Sequence, residues 1–137
     1  MRVLALDFGA ARTGVAVSDP TGLIARPLGV VERAGSEAGL ARLAELIRTE
    51  AAERVVVGLP LTLRGERGEQ AHETETFVET LRAAIDVPVE SFDERFTTRL
   101  ARTGPGDSPS ARSEPDDARA AAHLLSSYLE WSSAGRE

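Results

Sequence analysis

Cysteine is absent from all 137 residues. Disulfides and thiolate zinc sites are therefore excluded, which fits a cytoplasmic protein without requiring one. Lysine is absent as well, so all 16 cationic side chains are arginine. Genome base composition accounts for that bias without any function. The functional account is that arginine suits bidentate contacts to phosphate. No apolar run approaches the ~20 residues a membrane span needs. The chain opens directly on strand-like sequence, so no secretory leader is expected. Positive charge is not in excess either: the formal net charge is −6 at pH 7. That balance argues against broad electrostatic binding to nucleic acid. Local arginine clusters and metal ions would have to overcome it. Aromatic residues make up 4% of the chain, which argues against base stacking as the main source of affinity.

Other catalytic signatures are missing too. The histidines, His72 and His123, have no nucleophile at useful spacing, and a structural role is the plainer reading of both. There is no G-x-S-x-G elbow, no Walker A loop and no dinucleotide-binding glycine pattern.

The length suits one ordinary domain, taken as residues 1–131, with 132–137 a fraying tail. Such a domain buries roughly two-thirds of its unfolded surface and needs no staples. Residues 2–7 read as a strand that is apolar at almost every position, as a central strand buried on both faces would be. A glycine turn, Gly9–Gly14, leads to a second strand over 13–18. Asp19-Pro20-Thr21-Gly22 is a turn, and Leu23 to Val31 supply a third strand broken by Pro27 and Gly29. Ser36 can cap a helix carrying Leu40, Leu43, Ala44 and Ile47 at helical spacing. Val55–Val57 is a buried strand, followed by a polar loop to Glu69 and a helix with Phe77, Val78, Leu81 and Ala84 on one side. Val87 to Phe92 form a fifth strand. Residues 103–114, rich in Gly, Pro and Ser, are expected to be a mobile loop. A last helix starts near Pro115 with Ala118, Ala121, Ala122, Leu125 and Leu129 as its apolar stripe. The expected fold class is α/β: a mixed five-stranded sheet, an antiparallel three-strand meander plus two parallel strands, with helices on both faces.

Such a sheet can gather acidic residues from three places. Asp7 ends the first strand, Asp93 and Glu94 end the fifth, and Asp116 and Asp117 lie in the first turn of the last helix. Strand alternation puts Asp93 and Glu94 on opposite faces, so one of the two points into a shared site. Asp117 lies four residues before Ala121 and adjoins the buried stripe, whereas Asp116 reads as a complement to the helix dipole. Oxygen-only ligands suit Mg²⁺ or Mn²⁺ rather than zinc, and such ions serve phosphodiester cleavage. Arg12, Arg64, Arg67, Arg95, Arg99, Arg102 and Arg112 are on segments expected at the same edge, where they could grip a phosphate backbone. Each taken singly could equally be a solvated surface residue.

Four segments resemble the motifs of one family. Ala5-Leu6-Asp7-Phe8-Gly9 with Arg12-Thr13-Gly14-Val15-Ala16-Val17-Ser18-Asp19 is similar to the opening motif of the YqgF/RuvX family. Val56-Val57-Gly58-Leu59-Pro60-Leu61 is similar to its second motif, Asp93-Glu94-Arg95-Phe96-Thr97-Thr98 to its third, and Asp117 with the alanines and leucines after it to its C-terminal helix. The resemblance implies a ribonuclease H-like fold related to the RuvC resolvases, and a cytoplasmic nuclease maturing the 5′ end of 16S rRNA. It also implies Asp7, Glu94 and Asp117 as catalytic metal ligands, with Gly58 and Arg95, Thr97 and Thr98 shaping the substrate groove; the loop positions of Gly9, Arg12, Arg64 and Arg99 put them on the same substrate side. The chain departs from the family pattern at Ala11, where a lysine is usual, at Thr62-Leu63, and in the sparsely basic segment before the last helix.

Three further readings compete. A Holliday junction resolvase would act on branched DNA as a dimer, although no dimer interface is visible and monomer or homodimer both stay open. A non-catalytic binding protein for immature small ribosomal subunits would need no metal. An ATP-binding module of the sugar-kinase or actin type shares the Asp-x-Gly hairpin but needs two lobes, and this length supplies one.

Overall fold

A computed structural model describes residues 1–61, 68–96 and 114–135. Its elements follow the order expected from the hydrophobic pattern. They are β1 (Val3–Asp7), β2 (Arg12–Ser18), β3 (Ala25–Glu32), α1 (Glu37–Thr49), β4 (Arg54–Leu59), α2 (Glu69–Ala84), β5 (Val89–Asp93), a single 3₁₀ turn (Glu94–Phe96) and α3 (Glu114–Gly135).

The strands form one five-stranded sheet in the order β3-β2-β1-β4-β5. β1–β2 and β2–β3 are antiparallel, and β1–β4 and β4–β5 are parallel. β1 is central because Val3, Leu4, Ala5 and Leu6 are all buried and need cover on both faces. Pro27 and Gly29 do not break the third strand. Opposite them the pairing register shifts between Val15 and Ala16, and the strand continues to Glu32 as a bulged edge.

Alternation divides the core in two. Leu4, Leu6, Val15, Val55 and Val57 pack under α1 and α2 with Leu43, Phe77 and Leu81. Val3, Ala5, Ala16, Val56 and Phe92 pack under α3 with Ala121, Leu124, Leu125 and Tyr128. Helices therefore cover both faces. Ser36 caps α1 as expected, its Oγ accepting from the Gly39 N–H at 3.0 Å. Asp19 holds its turn by accepting from the Leu23 and Ile24 N–H groups at 2.9 Å each. Bonds from Thr21 first, then Ile24, pull its carboxyl far below the ordinary aspartate range.

α3 runs on to Gly135. It lies across the sheet, and at its far end Tyr128 donates to Glu90 Oε1 at 2.7 Å while Arg54 donates to the Tyr128 hydroxyl at 3.0 Å. That clamp fixes the helix at one end. Its first turn is thereby placed at the opposite edge, where β1 and β4 finish. The loop expected over 103–114 falls outside the described residues except for Glu114, which opens α3. Among the described residues no helix is long and apolar enough to cross a membrane.

Candidate active site

Three chain segments meet at the end of β1, and the sheet register accounts for it. Asp7 is paired with Gly14 of β2, while Leu6 is paired with Val57 of β4, so Gly58 stands level with Asp7 on the other side. Alternation turns Asp7, Gly14 and Gly58 towards α3, the face of Ala5, Ala16 and Val56. Neither glycine has room for more. A Cβ on Gly14 would stand 1.8 Å from the Asp117 carbonyl oxygen. One on Gly58 would stand 2.8 Å from Glu94 Oε2 and 3.1 Å from Leu124 Cδ2. The two missing side chains therefore let α3 and the Glu94 carboxylate lie directly on the sheet, flanking Asp7. Asp7, Glu94 and Asp117 thus occupy adjoining positions on three backbones.

Asp93 does not share this place. Its carboxylate turns to its own chain, accepting from the Arg95 N–H at 2.9 Å and from the Arg95 guanidinium at 2.6–3.1 Å. Arg95's side-chain bonds hold the Asp93 carboxyl below the ordinary aspartate range, and Asp93 in turn raises the Arg95 guanidinium. Arg95, expected on the substrate side, is thus engaged with Asp93 here. Glu94, at the start of the 3₁₀ turn, is the member of the pair that turns over Gly58.

Asp117 is held differently. Arg12 Nε stands 3.2 Å from Asp117 Oδ2. That oxygen is shielded from solvent yet accepts no hydrogen bond from any described group, so the contact is a charge pair without alignment. A shielded carboxylate oxygen without a donor is costly, and a cation is a group that would satisfy it. The donor set is oxygen only, which suits a hard cation. On both counts the residues fit a divalent ion such as Mg²⁺ or Mn²⁺. The three carboxylates are nevertheless not closed into a finished cage, since among the described residues no three ligand-type side chains are grouped tightly enough to hold a metal.

Arg12 opens β2 instead of sitting in the preceding turn. The turn itself is pinned by Thr13, which is fully buried and pairs its hydroxyl with the Gly9 N–H and C=O at 3.4 Å each. Arg64, Thr97, Thr98 and Arg99, like Arg67, Arg102 and Arg112, lie outside the described residues. Sequence reasoning missed Gly14 as a contact residue. Its only signal is a glycine inside a strand, which often marks a close backbone approach. An open groove of about 370 Å³ lined by Phe8, Arg33, Ser36, Glu73 and Thr76 sits on the α1/α2 face. It holds none of the three carboxylates.

The RuvX family, described as a Holliday junction resolvase, matches residues 1–131. The chain belongs to the RuvX family. A relative in Chloroflexus aurantiacus is 42% identical over 131 residues, covering 93% of this chain and 86% of its own. One in Desulforudis audaxviator is 40% identical and covers 99% of both chains. Both carry the provisional name pre-16S rRNA nuclease. Among solved structures, Thermus thermophilus RuvC in complex with a Holliday junction substrate aligns with a TM-score of 0.61 at 22% identity, covering 98% of each chain. The fowlpox virus Holliday junction resolvase aligns at 0.53 and 14% identity, covering 96% of this chain and 99% of its own. These likenesses establish the fold, the ribonuclease H-like sheet of the RuvC resolvases.

Proposed function

We propose that this RuvX-family protein is a cytoplasmic, divalent-metal-dependent nuclease that trims the precursor of 16S rRNA. The observation that carries the reading is the placement of Asp7, Glu94 and Asp117 at adjoining backbone positions on one sheet face, with Gly58 and Gly14 admitting Glu94 and the first turn of α3. The names carried by its relatives support RNA as the substrate.

Asp7, Glu94 and Asp117 would hold the cation. A bound Mg²⁺ or Mn²⁺ would supply activation of water and neutralisation of charge on the phosphodiester. Everything else falls to the chain. Asp7 is rigid because β1 is buried between two strands and two helix layers. Gly58 lets the Glu94 carboxylate lie against the backbone, with the Leu124 side chain beside the same glycine. Gly9 and Arg12 flank Asp7 in the turn and at the start of β2, where a phosphate can come close to the backbone. Thr97, Thr98, Arg64 and Arg99 complete the proposed substrate side.

Purified protein incubated with precursor 16S rRNA should cut only when Mg²⁺ or Mn²⁺ is present. Sequencing the 5′ ends of 16S rRNA in depleted cells, rescued by wild type or Asp7→Asn, is the decisive measurement. Full rescue by Asp7→Asn sinks the reading. The family description favours a second reading, resolution of branched DNA. It needs two sites facing two strands, so a chain that sediments as a monomer both alone and on junction DNA counts against it.

A further inference from the structure

We propose that Arg12 guards the cation site: it occupies Asp117 while no divalent ion is bound and must be displaced when one arrives. The inference rests on the nuclease reading above and adds a regulation of that site by the chain itself.

Two arginine–carboxylate pairs stand at this edge, and their geometries differ. Arg95 closes on Asp93 with aligned bonds from Nε and a terminal nitrogen to both oxygens, reinforced by the Arg95 N–H. Such a fork is a fixed structural link. The closest approach of Arg12 to Asp117 is Nε to Oδ2 at 3.2 Å, and no aligned hydrogen bond accompanies it. Its side chain is 48% exposed, against 34% for Asp117. Both side chains are partly exposed and the pair lacks the alignment that would make it hard to open.

The backbone explains why the two groups meet. Arg12 and Gly14 are two residues apart on β2 and share its α3 face. Gly14 bears directly on the Asp117 carbonyl. The contact that seats α3 thus also delivers the Asp117 carboxylate to Arg12. A guanidinium so placed neutralises the carboxylate, but its planar fork leaves the shielded oxygen unsatisfied, and a spherical cation has no such directional limit. A divalent ion on Asp117 repels Arg12. The freed guanidinium is then available to the phosphate that the proposed function brings to the same edge.

The test is Mn²⁺ binding by calorimetry to the full chain without nucleic acid, comparing wild type, Arg12→Gln and Asp117→Asn. Arg12→Gln is expected to bind Mn²⁺ about two- to five-fold more tightly, the scale of losing one exposed ion pair. Asp117→Asn is expected to bind more weakly than wild type. In a Mg²⁺ titration of the wild type, the guanidinium Nε–H signal absent from the Arg12→Gln spectrum should shift with the same midpoint as binding. Equal or weaker Mn²⁺ affinity in a folded Arg12→Gln protein overturns the guard, as does an Arg12 signal that stays fixed at Mg²⁺ saturation. If Arg12→Gln does not fold, Arg12→Lys assigns the signal and the titration decides alone. The two readings fail separately. Wild type that binds no Mn²⁺ and cuts no RNA removes the nuclease reading and the guard together. Mn²⁺-dependent cutting with an unchanged Arg12→Gln affinity removes only the guard.

Discussion

Asp93 spends both carboxylate oxygens on Arg95, while Glu94, one residue on, lays its carboxylate over the backbone of Gly58. The difference predicts opposite mutant behaviour. Asp93→Asn should lower stability and spare much of the activity. Its folded carboxyl is held below the ordinary range by Arg95, so its contribution is fully present above about pH 4 and is lost as pH falls through the lowered folded value. Acid unfolding curves should show wild type losing more stability than Asp93→Asn across that window; parallel curves would contradict the assignment. Asp7→Asn should reverse the pattern. Cleavage should drop by more than roughly 100-fold, because losing residues that merely support metal ligands already costs about 10–100-fold. Its thermal midpoint should change little. A steady-state cleavage assay beside a melting curve separates the two effects.

At the level of elements, Gly14 and Gly58 set how closely α3 and the 3₁₀ turn approach the sheet. Gly14→Ala drives a methyl into the Asp117 carbonyl, an obstacle of backbone that cannot swing aside. Overpacking of this kind typically costs about 1–3 kcal/mol, and this contact is tighter than most, so a loss of at least that size is expected in urea unfolding. Gly58→Ala meets the end of the Glu94 side chain, which can move, and a leucine methyl. It should cost less stability than Gly14→Ala but displace the carboxylate and lose cleavage. Equal stability losses with full activity in Gly58→Ala would show that Glu94 does not need that space. Ser36→Ala, which removes the cap of α1 far from the carboxylates, should cost about 1 kcal/mol with cleavage unchanged.

Across the whole molecule, a net charge of −6 opposes binding to a polyanion. Under the proposed function the cation must join protein and phosphate, so affinity for RNA should depend on it. Chelation of divalent ions should weaken RNA binding on the order of 10-fold, about 1.4 kcal/mol, in a filter-binding or fluorescence titration. Affinity that is indifferent to chelation would favour a non-catalytic RNA-binding role.

The order of elements was legible because each strand and helix carries its own period: Val3–Leu6 is apolar throughout, and Leu43 and Ile47 recur at helical spacing. The three candidate carboxylates could be named because they close or open elements and because four motifs resemble one family. Other features were not. The sequence reads Pro27 and Gly29 as a break, but pairing against Val15 and Ala16 absorbs them as a bulge. Strand alternation alone leaves Asp93 and Glu94 both open and the family resemblance picks Glu94; the folded turn supplies the physical difference, committing Asp93 to Arg95 and Glu94 to Gly58. The sequence places Arg12 in a loop, with no sign that 105 residues later a helix would bring Asp117 against it. Periodicity and composition are local properties, so the chain by itself determined the elements, their order and which acids could serve. Register and helix seating depend on contacts between distant segments, so only the tertiary structure decided which acids stand side by side and what holds them there.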